Sequence, residues 1–377
     1  MKTKILSNIF ISIGVLFAAG RLLAGGMSDG VLNFSKTPFL RPQPTIITID
    51  APGAGTGPFL GTQSLAINPP GVITGEYADA SNALHGFVRA TNGAITSFDV
   101  PGGGTGSDEG TFVWCINPGG VIAGDVIDPR FSAVHGFVRA ANGAIVTFDV
   151  PGAVFTIAHN INPEGVIAGR YFDANFTSHG FVRAANGTIT TFDVPGAGTG
   201  PGQGTFPGLI DCLNPAGVIT GDYLDASSLN HGFVRTPEGT IITFDVPGAV
   251  NGTYPAGINP MGTITGNYTD ASSLNHGFVR TPEGTITTFD VPGAVNGTYP
   301  AGINPMGTIT GGYVDASFVS HGFVRALNGL ITTFDPPGAG TGPGQGTIGF
   351  FSINPVGAIT GFYFDSSNML HGFLRTP

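Results

Sequence analysis

The chain has 377 residues, of which 62 are Gly and 29 are Pro, and only 10% are charged. Its 24 acidic and 14 basic side chains give a formal net charge of −10, the opposite sign to that of nucleic-acid-binding domains, so no nucleic-acid partner is expected. Because the apolar fraction is an ordinary 41%, the abundant Gly and Pro indicate regular turns rather than disorder.

The N-terminal residues 1–25 have the features of a secretory signal peptide. Lys2 and Lys4 precede an apolar run from Ile5 to Gly20, and small residues follow it. A membrane-spanning helix needs about 20 apolar residues, and this run is shorter. We therefore expect a secreted, periplasmic or cell-surface protein with no membrane span in the mature chain. Residues 26–44 are predicted to be a linker.

Two short motifs recur after this linker. An Asn-Pro pair and a His-Gly-Phe triplet each occur seven times, and the triplet begins 17 residues after its Asn, or 18 in the second copy. Repeats of this length are typical of solenoids, propellers or arrays. The seven repeats start near Ile67, Ile116, Ile161, Leu213, Ile258, Ile303 and Ile353.

Each repeat contains four short runs rich in Val, Ile, Thr, Phe and Tyr, which are typical of strands. Asn-Pro-x-Gly fits a type I turn, so the first two runs should form a hairpin. The third and fourth runs should form another, across a three-residue loop whose Gly is left-handed. Two hairpins per repeat disfavour a parallel solenoid. They predict an all-β fold, a β-propeller of four-stranded antiparallel blades, over residues 45–377.

The first and last strand signals of the chain complement each other. A Phe-Asp pair follows each His by 14 residues, except after His371, and a matching run ends at Asp50, before the first repeat. The chain thus begins with a fourth strand and ends with a third. Pairing of these two strands predicts a seven-bladed propeller, closed by the N-terminal strand on the last blade. An open stack of blades would instead leave an unpaired strand edge.

The repeated His and Asp residues are predicted to be structural His–Asp latches. The hairpin register sets His85 opposite Asp99, and chemistry rarely needs seven identical copies of a metal ligand or general base. Because no loop shows the D-x-[DN]-x-[DN]-G calcium pattern, neither a metal nor a cofactor is expected. The latch pairs are His85 and Asp99, His135 and Asp149, His179 and Asp193, His231 and Asp245, His276 and Asp290, His321 and Asp335, and His371 and Asp50.

The two cysteines, Cys115 and Cys212, each lie two residues before an Asn-Pro pair, in repeats two and four. A disulfide requires Cα atoms within about 7 Å, and the intervening third blade should keep them further apart. Two free thiols are therefore predicted, with a disulfide as the alternative for an exported chain.

A candidate ligand-binding site is indicated where the repeats differ. The residues three before each Asn-Pro pair are Leu65, Trp114, His159, Asp211, Ala256, Ala301 and Phe351. Repeats two to four thus contribute the only Trp, the only His outside the triplets and an extra Asp, while Arg130 and Arg170 interrupt otherwise regular positions. We predict that Trp114, His159, Asp211, Arg130 and Arg170 line a ligand cleft at the channel mouth; the alternative is drift in a tolerant inner ring.

The repeat Ile-Asn-x-x-Gly-x-Ile-x-Gly, followed by His-Gly-Phe, resembles the bacterial extracellular repeat family named for its His-Ala-Phe triplet. The resemblance covers Thr45 to Pro377, with Gly in place of Ala throughout and Pro after Asn. It implies an exported β-propeller and brings no catalytic residues with it.

Three functions are compatible with these features. The first is an exported, non-catalytic binding module, expected to be a monomer, that presents a propeller face to a glycan or protein ligand. The second is a polysaccharide-active hydrolase or lyase that uses Asp211 and His159 as an acid and base pair. The third is a purely structural surface repeat, which would need no asymmetric site.

Overall fold

The computed structural model describes residues 44–209 and 211–377, and only the backbone of Phe350. The predicted signal peptide and all of the predicted linker except Pro44 lie outside the described residues. Thr45–Thr376 form one unit, and its regular secondary structure consists of strands apart from one short 3-10 turn. No helix within the described part of the chain is long and apolar enough to cross a membrane.

The strands follow a fixed order within each repeat. The first strands are β2 (Gly61–Ile67), β6 (Gly110–Ile116), β10 (Phe155–Ile161), β14 (Gly204–Pro207), β18 (Thr253–Ile258), β22 (Thr298–Ile303) and β26 (Gly346–Ile353). The second strands are β3 (Ile73–Ala78), β7 (Ile122–Ile127), β11 (Ile167–Phe172), β15 (Ile219–Leu224), β19 (Ile264–Thr269), β23 (Ile309–Val314) and β27 (Ile359–Phe364).

The third strands carry the His-Gly-Phe triplets, and they are β4 (Leu84–Arg89), β8 (Val134–Arg139), β12 (Ser178–Arg183), β16 (Asn230–Arg235), β20 (Asn275–Arg280), β24 (Ser320–Arg325) and β28 (Leu370–Thr376). The fourth strands are β5 (Ile95–Phe98), β9 (Ile145–Phe148), β13 (Ile189–Phe192), β17 (Ile241–Phe244), β21 (Ile286–Phe289) and β25 (Ile331–Phe334), and β1 (Thr45–Ile49) precedes the first repeat. A short 3-10 turn, η1 (Pro129–Phe131), lies between β7 and β8.

Both predicted hairpins are present in the first repeat. Gly71 N–H donates to the Asn68 carbonyl at 2.9 Å, as a type I turn requires, and Val72 N–H donates to Asn68 Oδ1 at 2.8 Å. In the second hairpin Arg89 faces Ile95, and a bond from Ala90 N–H to the carbonyl of residue 94 closes the predicted three-residue loop. The predicted hairpin register is therefore confirmed.

Single-residue parallel pairings join several repeats into a 24-stranded sheet, while β18 to β21 form a separate four-stranded sheet. One such pairing sets Gly110 at the start of β6 beside Leu84 of β4. Gly110 has a φ of 113°, and a Cβ there would lie 2.3 Å from the Leu84 carbonyl oxygen. Only Gly allows this approach, because it has no Cβ and adopts positive φ without strain.

The core lies between successive repeats. The Phe of each His-Gly-Phe triplet is fully buried. The Arg two residues further on places its guanidinium over the Phe of the preceding repeat's fourth strand, as Arg139 does over Phe98 at 4.7 Å. Six such stacks are present, made by Arg139, Arg183, Arg235, Arg280, Arg325 and Arg375.

Several contacts connect the last repeat to the first residues and the first repeat of the described chain. Strand β1 pairs antiparallel with β28, so that Ile49 faces Gly372 as Phe98 faces Gly86 in the first repeat. In addition, Asn354 Nδ2 donates to the Asn68 carbonyl at 3.4 Å. The same bond, from the Asn of one Asn-Pro pair to the carbonyl of the next, links Asn68 to Asn117 at 3.3 Å.

Candidate functional site

The variable residues before the Asn-Pro pairs lie on β-bulges. Trp114 falls where the register of β6 on β7 shifts between Val113 and Cys115, and His159 occupies the same place in β10. A bulge adds an unpaired residue to the strand and re-aims its side chain. Trp114 and His159 thereby meet edge to face, with ring centroids 5.2 Å apart, and both are buried.

A second variable position follows the Gly in the middle of each second strand. From repeat one to repeat seven it is occupied by Glu76, Asp125, Arg170, Asp222, Asn267, Gly312 and Phe362. The preceding residue is Gly in every repeat, and the following residue is Tyr in all repeats but the second. This contrast is visible in the sequence, but only Arg170 was predicted from it as a site residue. Ionisable groups therefore occupy this position in four consecutive repeats.

These side chains form the polar cluster, which we define as Trp114, Asp125, His159, Arg170 and Asp222. Trp114 Nε1–H donates to Asp125 Oδ1 within repeat two. The Arg170 guanidinium lies over two aromatic rings, at 5.6 Å from Phe172 and 5.5 Å from Phe206. Asp222 Oδ2 accepts from Asn230 Nδ2. The polar cluster thus spans repeats two, three and four.

Burial shifts the charges of the polar cluster towards neutral forms. It raises the pKa of Asp125 to about 8, against the Trp114 hydrogen bond and the Arg170 charge. It raises the pKa of Asp222 to about 7, against bonds that include the one from Asn230. Burial also lowers the pKa of Arg170 to about 10, although the charges of Asp222 and Asp125 oppose this. Both carboxyls therefore exchange protons near neutral pH.

His159 is the least satisfied member of the polar cluster. Its side chain has no exposed surface, and neither ring nitrogen makes a hydrogen bond of full geometry among the residues described, although the Pro207 backbone lies near enough to favour the protonated ring. Burial, followed by the Arg170 charge, lowers its pKa well below the ordinary value, so the ring is neutral. An unpartnered buried polar group costs about 1–3 kcal/mol, which the surrounding fold must offset.

Glu76 connects the first repeat to the polar cluster. Its Oε2 accepts from Val113 N–H at 3.0 Å, next to the bulge that carries Trp114. Burial raises the pKa of Glu76 to about 8, partly opposed by this bond. Glu76 therefore acts as a positioning residue for the Trp114 bulge.

Asp211 lies outside the polar cluster. Strand β14 ends at Pro207, which faces Gly221, and Gly208 N–H and the Cys212 carbonyl both bond to the Thr220 backbone, so the register is interrupted between Gly208 and Cys212. Asp211 has a φ of 50°, and its carbonyl accepts from Ile258 N–H at 2.9 Å. Burial raises the pKa of the Asp211 carboxyl to about 7.

The Asp211 side chain extends towards repeat six. A Cβ placed on Gly302 would lie 3.4 Å from Asp211 Oδ2. No hydrogen bond joins the Asp211 and His159 side chains within the described chain, so the structure does not bring them together as an acid and base pair.

Arg130 is also separate from the polar cluster. It is exposed on η1 with a φ of 64°, and its backbone N–H donates to Glu109 Oε1 at 2.5 Å. Of the five predicted ligand-binding residues, the structure thus groups Trp114, His159 and Arg170.

Both cysteines are free thiols, as predicted. Cys212 Sγ accepts from Asn160 Nδ2 at 3.0 Å, and Cys115 Sγ donates weakly to the Ala123 carbonyl at 3.8 Å. Burial raises the pKa of each thiol, so neither is a reactive thiolate at neutral pH.

The repeated His residues each contact an Asp carboxylate through Nδ1. The Nδ1 to Oδ distance is 2.7 Å for His85 and Asp99, and 2.8 Å for His371 and Asp50, which are 321 positions apart. The other five pairs have the same geometry. In the described residues, no group of three or more His, Cys, Asp or Glu side chains could hold a metal ion.

No family model and no curated protein sequence matches the chain. Among solved structures, a streptogramin B lyase aligns over 87% of this chain and 97% of its own, with 15% identity and a TM-score of 0.56. A catalytically inactive variant of virginiamycin B lyase from Staphylococcus aureus, solved with quinupristin, aligns over 89% of this chain and 100% of its own, with 14% identity and a TM-score of 0.53.

The β-propeller domain of the Trilobed protease from Pyrococcus furiosus, which has an open velcro topology, is also similar. It aligns over 83% of this chain and 94% of its own, with 8% identity and a TM-score of 0.53. At these identities the similarity shows the fold alone. The chain is an all-β protein with a β-propeller fold, and its repeats can be called blades.

Proposed function

We propose that this protein is an exported, non-catalytic binding module that engages a glycan or protein ligand through blades two to four. The polar cluster is the observation that carries this proposal. It places His159, which lacks a hydrogen bond of full geometry, and a buried Arg170 at positions that blades five to seven fill with apolar or small neutral residues. Buried charges and unsatisfied groups reduce stability, so their concentration on one arc favours a functional role.

In this proposal the five predicted residues divide into two roles. Trp114, His159 and Arg170 form a rigid floor beneath the ligand, because their side chains are packed against one another or against neighbouring rings. Arg130 is exposed on η1 and contacts the ligand directly, and Asp211 contacts it from the connection between β14 and β15. Arg is over-represented among residues that dominate recognition energy.

The test is retention of the mature protein on a polysaccharide array, with product release followed in parallel. Arg130→Ala and Arg170→Met should each weaken retention by roughly tenfold or more. Asn267→Ala is the matched control for Arg170, because it alters the same strand position in blade five. If all three variants are retained equally, the binding proposal is wrong. If the parent binds neither polysaccharides nor candidate protein ligands, the binding proposal is also wrong, and the purely structural role is the remaining explanation.

A lyase or hydrolase activity is the second candidate. The observation that favours it is the carboxyl of Asp211, whose pKa of about 7 suits a group that must both take up and release a proton at neutral pH. Product release by the parent that is lost in Asp211→Asn would support this candidate and overturn the non-catalytic proposal.

We also propose that the seven repeats are seven blades in a closed ring, and that the chain is a monomer related to the His-Ala-Phe repeat family. The pairing of β1 with β28 and the bond from Asn354 to Asn68 support closure. Residues 45–377 then form the propeller, preceded by a signal peptide over 1–25 and a linker over 26–44.

A further inference from the structure

Each His of a His-Gly-Phe triplet lies between two carboxylates in six of the blades. In blade five, His276 Nδ1 is 2.8 Å from Asp290 Oδ1, and Nε2 is 3.4 Å from Asp270 Oδ2. Tyr268 stacks on the imidazole, with ring centroids 5.1 Å apart. We call this arrangement the Asp–His–Asp bridge.

The bridge joins three segments of the chain. Asp270 lies in the loop between β19 and β20, His276 is on β20, and Asp290 follows β21 where the chain leaves for the next blade. Asp270 Oδ1 already accepts from Ser272 N–H and Leu274 N–H, which form the loop. Its Oδ2 accepts from Ser272 Oγ at 2.8 Å and has a second lone pair that can accept from the imidazole.

The same bridge recurs with Nε2 to Oδ2 distances between 3.4 and 3.7 Å. The six pairs are His85 with Asp79, His179 with Asp173, His231 with Asp225, His276 with Asp270, His321 with Asp315, and His371 with Asp365. Each of these six imidazoles also stacks on a Tyr.

Blade two is a natural exception. His135 contacts Asp149, but no ion pair to Asp128 occurs in the described residues of this blade. Asp128 Oδ2 instead accepts from Ser132 Oγ at 2.7 Å, and Val126 stands where the other six blades have Tyr. Blade two therefore has the first half of the bridge only.

The chemistry of imidazole makes the bridge sensitive to protons. Neutral imidazole has one N–H, so it satisfies one carboxylate and turns a lone pair towards the other, whereas the cation donates from both nitrogens. The ionisable groups facing His276 are Asp270, Asp290 and Tyr268, with no second cation among them. Burial opposes protonation of His276, but the bonds and charges of Asp290 and Asp270 outweigh it and raise its pKa.

We propose that the Asp–His–Asp bridge of blade five is a pH-responsive clamp, in which protonation of the His276 imidazole fastens loop, third strand and inter-blade connection as the medium becomes acidic. A group whose pKa is raised by folding adds stability that is fully present below its unfolded pKa, about 6.5 for His, and is lost as the pH rises through the folded value. The clamp therefore tightens on acidification through neutral pH, independently of any ligand.

The main test removes the second carboxylate but keeps the loop. Asn retains the Oδ1 acceptor of the loop, so the variant is Asp270→Asn. Thermal unfolding of parent and variant is followed between about pH 8 and about pH 5.5, the range in which His titrates. The gain in Tm on acidification should shrink in Asp270→Asn and remain at the parental value in the control, Asp128→Asn.

Other groups that titrate in this range are unchanged in both proteins, so the difference isolates the bridge of blade five. An equal gain in parent and Asp270→Asn would overturn the proposal. NMR titration of His276 in Asp270→Asn gives a second readout. The protonation midpoint of His276 should fall in that variant, and an unchanged midpoint would likewise overturn the clamp.

Discussion

At the scale of single residues, the interior of the propeller contains apolar positions that are the same in every blade and a few buried polar residues that reduce stability. The Phe of every His-Gly-Phe triplet is fully buried, whereas the second-strand position occupied by Glu76 and Asp125 changes from blade to blade. Both carboxyls are enclosed by neighbouring blades, and burial raises the pKa of each to about 8. Their neutral forms are therefore the ones that suit the fold.

This burial predicts a loss of stability at alkaline pH. Glu76 has a folded pKa of about 8 against an ordinary value of 4.5, so its contribution is fully present below the unfolded pKa and is lost as the pH rises through the folded one. Glu76→Gln should remove the part of the alkaline loss of stability that comes from ionisation of Glu76. Between about pH 6 and pH 9 the free energy of unfolding should fall by roughly 2 kcal/mol less in the variant than in the parent.

The measurement is urea unfolding of both proteins at the two pH values. Asn267→Gln, at the same position of blade five, serves as a control with no carboxyl to titrate. Parallel losses in Glu76→Gln and the parent would show that Glu76 is already ionised in the folded protein.

At the scale of elements, the strands and turns could be predicted because local spacing determines them. The Asn-Pro-x-Gly turn and the three-residue loop after Arg89 depend only on neighbours in sequence. The contacts between blades do not. The stacks of Arg on the preceding Phe and the bond from Asn68 to Asn117 join residues about 40 to 50 positions apart, and they depend on how two sheets pack.

The candidate site was predictable to a similar degree. Trp114, His159 and Arg170 stand out because they break a regular pattern, and the structure groups them. The separation of Asp211 was not predictable, because the register in blade four departs from that of the other blades only between Gly208 and Cys212.

The Arg–Phe stacks provide a prediction at this scale, because one blade lacks the aromatic partner. The Arg139 guanidinium lies 4.7 Å from the Phe98 ring centroid, and a cation over an aromatic face contributes about 0.5–2 kcal/mol. Arg139→Met should therefore destabilise the protein by about 1 kcal/mol. In the first blade the preceding strand carries Ile49 in place of Phe, so Arg89→Met should cost less. Denaturant midpoints of the two variants compare their losses of stability directly. Equal losses would show that the aliphatic part of the Arg side chain, and not the cation over the ring, makes the contribution.

At the scale of the whole molecule, contacts between distant parts of the chain connect the first and last blades. His371 and Asp50 are 321 positions apart, yet they make the same contact as His85 and Asp99. Among the described residues, five hydrogen bonds link Asn-Pro pairs of successive blades, and a sixth returns from Asn354 to Asn68. In our proposal these contacts close the ring, and β1 supplies the fourth strand of the last blade.

Deletion of residues 45–50 tests this closure. The loss of β1 would expose the edge of β28 over the five residue pairs that now join the two strands. It would also leave His371 without Asp50. An unpaired strand edge recruits other chains. We therefore expect a lower melting temperature and concentration-dependent aggregation, measured by thermal unfolding and light scattering.

Restoration of the strand at the other end of the chain distinguishes closure from a general need for this segment. With residues 45–50 moved to follow Pro377 through a suitable loop, the strand would continue from β28 as β5 continues from β4 in the first blade. The permuted chain should recover the parental melting temperature and remain monomeric, because a closed ring has the same contacts wherever the chain is cut. A deletion variant that melts like the parent and stays monomeric would instead favour an open stack, in which the edge of β28 needs no partner.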